Sequence, residues 1–386
     1  MYAPLALFIQ HISTLSPGNN WLEASRDSSR QIENTLRCLF AEDNSQELLA
    51  DPTVGVIDLF EAPSSLRMIH TGRVIPSDLS DSSYHYVFPL PQEARRKDGE
   101  AATVENITAF LRSWEIFTEG VLTESFDWNN VIAAGGSVSA CIAPLPTGVD
   151  GDATNIRRYL HQGPFANADV DLFLWGLSAS EAEAKVIAIT KAVQDATPVK
   201  TVCVRTRHAI SIISQHPYRT IQIVLRIYSS PAEIILSFDV DSASVAFNGG
   251  KVLITPRAAL SFKTQSNTVD LSRRSPSYEY RLAKYHSRGF EVFVENLCRQ
   301  NVNPRIYNLP VARTQGLARL LVLEKRFIDH TVQVSTPSNQ DHSLSLSGYD
   351  VADLRIPYGP QWNADKIEHL VRRVDRKMNC KYNIVS

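Results

Sequence analysis

The stretch Ala168-Asp169-Val170-Asp171-Leu172-Phe173-Leu174 decides how this chain is read. Residues i and i+2 of a β-strand project from one face, so Asp169 and Asp171 stand side by side while Val170, Leu172 and Leu174 fill the opposite, buried face. Two carboxylates held that close repel each other, and a divalent cation is the usual means of keeping both as anions. Hard oxygen donors of this kind suit Mg2+ or Mn2+. A cation held in this way commonly grips a phosphate. The plainer alternative is a solvated strand end at a sheet edge.

Upstream, Ile132-Ala133-Ala134-Gly135-Gly136-Ser137-Val138 reads as a strand end, two glycines and a hydroxyl in the first turn of a helix. Glycines let the backbone approach a ligand closely, and the free N–H groups of a helix start favour a phosphate. A plain helix start explains the same residues. Downstream, a helix is expected over 180–196, with Ser178 or Ser180 as N-cap and Val186, Ile189 and Val193 on one side. Strand-like runs follow at 201–214 and 220–228, separated by His216-Pro217-Tyr218. A short apolar segment at 232–238 leads into a strand at 239–247, and Asn248-Gly249-Gly250 turns the chain back into 252–255. This alternation defines an α+β unit, a mixed sheet flanked by helices, over 131–262.

The flanks read as mainly helical. In the N-terminal region, 1–130, a helix is expected over 104–120, where Ile107, Phe110, Leu111 and Trp114 recur at helical spacing. Polar stretches at 25–29, 77–83 and 91–99 read as loops. In the C-terminal region, 263–386, helical stretches are expected at 273–289, 312–329 and 363–378, with a Ser-rich loop at 335–347.

Gly-Gly-Ser opening a helix, then an Asp-x-Asp strand, then a further strand acid, resembles the nucleotidyltransferase superfamily of DNA polymerase beta, poly(A) polymerases and CCA-adding enzymes. The resemblance covers about a third of the chain. It implies a polymerase-beta-like fold and a metal-dependent nucleotidyltransferase that moves a nucleoside monophosphate from a nucleoside triphosphate to an acceptor hydroxyl, with Mg2+ or Mn2+. Carried over, Gly135, Gly136 and Ser137 would contact phosphate, and Asp169 and Asp171 would bind metal. The strand at 221–228, where that family often keeps its third acid, offers Gln222 and Val224 instead. Asp239 with Asp241 is the expected substitute, unless that pair is simply solvated at a strand entry. The interval between Ser137 and Asp169 is long for that family and implies an inserted loop at 144–166. A site lacking one metal ligand leaves a second expectation open: a catalytically inactive binding or regulatory module.

The segment holding Arg273, Arg274, Tyr278, Arg281 and Lys284 could reach a triphosphate or stack a base. A helix with a merely solvated charged face is the alternative. The acceptor stays open: an RNA or DNA end, a protein or a small molecule. The formal net charge of −2 over 386 residues argues against wholesale polyanion binding. With 44% hydrophobic and 21% charged residues, the composition is that of an ordinary globular protein and excludes a disordered chain. Cys38, Cys141, Cys203, Cys298 and Cys380 are scattered singly, without zinc spacing, and are expected as reduced, mostly buried thiols. His208, His216 and His286 form no metal or triad pattern. Neither a GxSxG elbow nor a GxxxxGK[ST] loop is present, which removes the main supports for hydrolase and P-loop readings. No apolar run approaches the roughly 18 residues of a membrane span, and the first residues lack a basic leader region. An intracellular, soluble protein, cytoplasmic or nuclear, with no membrane partner and an open oligomeric state is the expectation.

Overall fold

The computed structural model describes residues 2–14, 21–43, 45–71, 85–123, 125–146, 148–149, 151–329, 358–378 and 383–385. The loops expected at 77–83 and 335–347, and Cys380, lie outside the described residues.

Among the described residues, twelve strands form two sheets. They are β1 Ile57–Asp58, β2 Tyr86–Val87, β3 Val131–Ala134, β4 Val170–Trp175, β5 Val202–Arg205, β6 Ala209–Ile213, β7 Ile221–Tyr228, β8 Val245–Phe247, β9 Val252–Ile254, β10 Ser266–Thr268, β11 Glu291–Phe293 and β12 Asn383–Val385. The large sheet has nine strands in the order β1-β9-β8-β3-β4-β7-β6-β5-β12, and the small one is β10-β11-β2. Within the large sheet β4 and β7 run parallel and the other pairs antiparallel.

The helices are α1 Ala3–Ser13, α2 Trp21–Glu42, α3 Ile107–Thr118, α4 Gly136–Ile142, α5 Ala153–Gln162, α6 Ala179–Ala196, α7 Pro231–Leu236, α8 Pro256–Thr264, α9 Tyr278–His286, α10 Gly316–Ile328 and α11 Ala364–Met378. Parallel strands need a crossover. Here α6 and the β5–β6 hairpin supply it between β4 and β7. Ser178 starts α6 with a reciprocal capping box to Glu181, which satisfies donors at both ends of the first turn.

The mixed α/β architecture agrees with the expected class, and β4 alternates as its sequence dictates: Val170, Leu172 and Leu174 are buried and Asp171 is half-buried. Three local expectations are corrected. Residues 25–29 lie inside α2 rather than a loop, because Ser25 and Ser29 turn their hydroxyls onto the carbonyls of Trp21 and Arg26 and sit buried on its inner side. The run 201–214 is a hairpin, broken where the polar residues Thr206, Arg207 and His208 make the turn. The expected strand at 239–247 is reduced to β8. Asp241–Ala243 forms a 3-10 turn instead, held by Asn267 accepting from the Ser242 N–H at 2.8 Å and by the Ser244 hydroxyl on the Val240 carbonyl at 3.1 Å.

One apolar core runs from Leu5 to Leu323, continuous across the expected boundaries at 130 and 262. A second, small cluster joins Val202, Val204 and Ile213 to Ala364, Ile367 and Val371, so α11 packs on the β5–β6 hairpin. Cys141 and Cys203 are buried, whereas Cys38 and Cys298 are exposed; all four are free thiols. No helix among the described residues is long and apolar enough to cross a membrane.

Candidate functional site: an acid pair facing two cations

β3 and β4 pair antiparallel with Ala134 opposite Asp171, so the turn after β3 arrives beside the carboxylates. Gly135 makes that turn at φ +86°, a conformation only glycine adopts without strain. A Cβ on Gly136 would lie 2.8 Å from Nη1 of Arg288 and 3.4 Å from the Tyr285 hydroxyl. Any larger residue there would have to displace the end of the Arg288 side chain. Ser137 is fully buried and its Oγ has no hydrogen-bond partner.

Asp169 is open to solvent and Asp171 half-buried, yet both are surrounded by protein, as in a recess. Desolvation raises both carboxyls, and Asp169 beside it helps push Asp171 up to about 7. Lys284 and Arg288 partly offset this. Neither carboxylate makes a hydrogen bond or an ion pair within 4.0 Å among the described residues, and neither do the Lys284 ammonium or the Arg288 guanidinium make such an ion pair. Two anions and two cations thus face one another across a gap. Desolvation, then the neighbouring Arg288, pushes Lys284 down to about 8, against the pull of both carboxylates.

Arg288 is buried, with its Cζ 5.0 Å from the ring centroids of both Phe165 and Tyr285. Its Nε and Nη1 have no acceptor, and its side-chain hydrogen bond is to the Tyr285 hydroxyl rather than to an acid. A buried guanidinium ordinarily has a carboxylate or several carbonyls beside it, since an unmet charged donor is costly. Arg219 shows the ordinary case. It is also buried, but donates to the carbonyls of Phe117, Leu160, Phe165, Ala166 and Ala168, pinning the approach to Asp169.

The other expected site residues are placed elsewhere. Asp239 accepts from Ser275 at 2.9 Å and pairs with Arg281. Asp241 is buried against Arg257 at 2.5 Å and accepts from the Thr268 N–H at 2.7 Å. Both carboxylates are already engaged, and no cluster of three or more His, Cys, Asp or Glu able to hold a metal occurs among the described residues. Gln222, not an acid, is the register partner of Asp171 on β7. Arg273 is buried among Glu33, Asp270 and the Leu236 carbonyl, and Arg274 pairs with Glu279 at 2.6 Å. Of the expected basic residues, Lys284 alone is coupled to both carboxylates. Arg288 was not among the expected ligands, although its i+4 spacing from Lys284 was a signal that both share one side of the segment.

The acid pair fits a divalent cation, with the remaining coordination left to water, phosphate or the Gln222 amide oxygen. Asp171 must lose its proton to bind one. Below pH 7 the cation competes with that proton, so affinity is expected to fall by about tenfold per pH unit and to level off above. Mn2+ titration between pH 5.5 and 8.5 measures this; a flat profile contradicts it.

Fold and site together define a mixed α/β protein with a strand-borne acid pair under a Gly-Gly turn. The sequence profile of the Gabija anti-defense 2 family matches residues 108–265, which hold the Gly-Gly turn and both carboxylates but end before Lys284 and Arg288. Over 189 residues the chain is 31% identical to a protein of Acanthamoeba polyphaga mimivirus described as uncharacterized protein R883, covering 45% of this chain and 38% of that protein. The chain therefore spans well under half the length of that relative. No solved structure matches. These findings correct the likeness to DNA-polymerase-beta-type enzymes: the matching family is a different one, and a Gly-Gly-Ser turn before an Asp-x-Asp strand is too short a pattern to tell the two apart.

Proposed function

We propose that the recess binds a nucleoside triphosphate together with Mg2+ or Mn2+ on Asp169 and Asp171, and transfers the nucleoside monophosphate to an acceptor hydroxyl: the hydroxyl oxygen bonds to the α-phosphorus, the α–β phosphoanhydride breaks, pyrophosphate leaves and the hydroxyl proton passes to solvent. The observation that carries this reading is the gap between the unpaired carboxylates and the unpaired Lys284 and Arg288, which suits a metal-bridged polyphosphate. When bound, the cation would neutralise charge on the phosphates and on the attacking oxygen. Asp169 and Asp171 would hold it, Lys284 and Arg288 would offset the remaining phosphate charge, and Gly136 leaves room for the Arg288 guanidinium beside the turn. In the cell, we take this activity to act against a defence system of the kind named by the matching family, Gabija.

A second reading, nucleotide capture without turnover, is favoured by one observation: Gln222 stands in register with Asp171 where a third carboxylate would complete a two-cation site. Calorimetry with ATP and the other nucleoside triphosphates plus Mg2+, run beside a labelled-nucleotide incorporation assay, separates the two. Binding with incorporation supports transfer, binding alone supports capture, and neither overturns both. Gln222→Asp is expected to tighten Mn2+ by about tenfold, since one more charged oxygen donor joins the pair. Unchanged Mn2+ affinity in that variant would place Gln222 outside the recess.

A further inference from the structure

Arg288, Lys284 and the bare backbone of Gly136 form one wall of the recess, and this wall is built for an anion. Arg288 is more than nine-tenths buried, at 6% exposure, and yet two of its nitrogens lack an acceptor. The rings of Phe165 and Tyr285 both lie close to it, each with its centroid 5.0 Å from Cζ. Its Nη1 lies 2.8 Å from where a Cβ on residue 136 would be, so the guanidinium end reaches the glycine turn. Both Arg288 and Lys284 act electrostatically on Asp169 and Asp171, which places them at the same recess without closing an ion pair.

We infer that Arg288 and Lys284 constitute a polyphosphate site separable from the metal-binding carboxylates, with the buried Arg288 guanidinium as its principal anion-binding group. A planar guanidinium suits two oxygens of one phosphate, and the flexible ammonium of Lys284 suits a neighbouring one. Two adjacent phosphates are therefore preferred over one. The inference deepens the proposed reading of the recess and rests on it for the nucleoside part of the ligand.

The test is binding of inorganic pyrophosphate, ATP and AMP in EDTA, measured by calorimetry on the full chain. Pyrophosphate and ATP are expected to bind without metal, and AMP more weakly by about tenfold or more. If ATP exceeds pyrophosphate the nucleotide is the source of the phosphates; if the two are equal, a free polyphosphate is. Arg288→Met keeps an unbranched stem beside the aromatic rings and removes the guanidinium. It is expected to lose about tenfold or more in pyrophosphate affinity, with an unchanged or raised melting temperature because an unmet buried donor has gone. Lys284→Met, at a solvent-open position, gives a second variant should Arg288→Met misfold. Asp171→Asn is expected to retain or tighten pyrophosphate binding in EDTA, since it removes a facing negative charge. Undiminished binding in Arg288→Met or Lys284→Met, or its loss in Asp171→Asn under EDTA, overturns the inference, as does AMP binding equal to that of pyrophosphate. Failure of metal-dependent incorporation alone leaves this result standing and counts against the transfer reading instead.

Discussion

Replacing Arg219 with methionine is expected to destabilise the fold by about 3–5 kcal/mol, enough to leave much of the chain unfolded at 37 °C. The side chain is 4% exposed and donates to five backbone carbonyls that gather α3, α5 and the segment entering β4. Methionine fills a similar volume, so the loss is not a cavity. It is the desolvation of carbonyls that no water can reach, together with the stacking on Phe117, whose ring centroid lies 3.8 Å from Cζ. Burial already pushes Arg219 down to about 10, which shows how strongly its surroundings resist a charge that those carbonyls must hold. Urea unfolding of purified variant and wild type measures the difference. A loss below about 1 kcal/mol would mean that water or a rearranged loop replaces the donors.

Asp171→Asn has the opposite signature: loss of function without loss of fold. If Asp171 holds the cation as proposed, replacing its carboxylate by a neutral amide is expected to lower metal-dependent incorporation by about a hundredfold or more. Stability moves the other way, and the sign follows from the raised pKa. A carboxyl held at about 7 in the folded chain, far above its unfolded value, binds its proton more tightly when folded. Its favourable contribution is full only below about pH 4, where the unfolded carboxyl is protonated too, and is lost progressively as pH rises from there through 7. At pH 8 the wild type carries the whole penalty of an ionised, crowded carboxylate, and asparagine does not. The variant is therefore expected to melt at a higher temperature than the wild type at pH 8, with a clearly smaller difference at pH 5, as read by calorimetry at the two pH values. A lower melting temperature at pH 8 would assign Asp171 to the scaffold.

The contrast between Arg219 and Asp171 also shows what the sequence could reveal. The alternation in Ala168 to Leu174 set β4 and the side-by-side acids, because period-two burial is local and a carboxylate cannot sit on the buried face. The helix of Ser178 and Glu181 was legible for the same reason: caps are local chemistry. Asp239 and Asp241 also alternate, but their partners Arg281 and Arg257 come from later in the chain, and only the fold brings them in. Ser25 and Ser29 looked like loop residues, although serines that bond back to their own helix pack well inside one. Arg273, Arg274, Arg281, Lys284 and Arg288 are alike in sequence. The contacts of Glu33, Glu279 and Asp239 decide which are neutralised, and what remains unpaired is Lys284 and Arg288.

The central claim is that Asp169 and Asp171 jointly hold a divalent cation beside a phosphate-binding wall. Electron paramagnetic resonance of Mn2+ titrated into the wild type, Asp169→Asn and Asp171→Asn at pH 8, with and without a non-hydrolysable nucleoside triphosphate, tests it most directly. Bound Mn2+ is expected in the wild type, tightened by the triphosphate, and lost in both folded variants. Equal Mn2+ binding in all three proteins would contradict it.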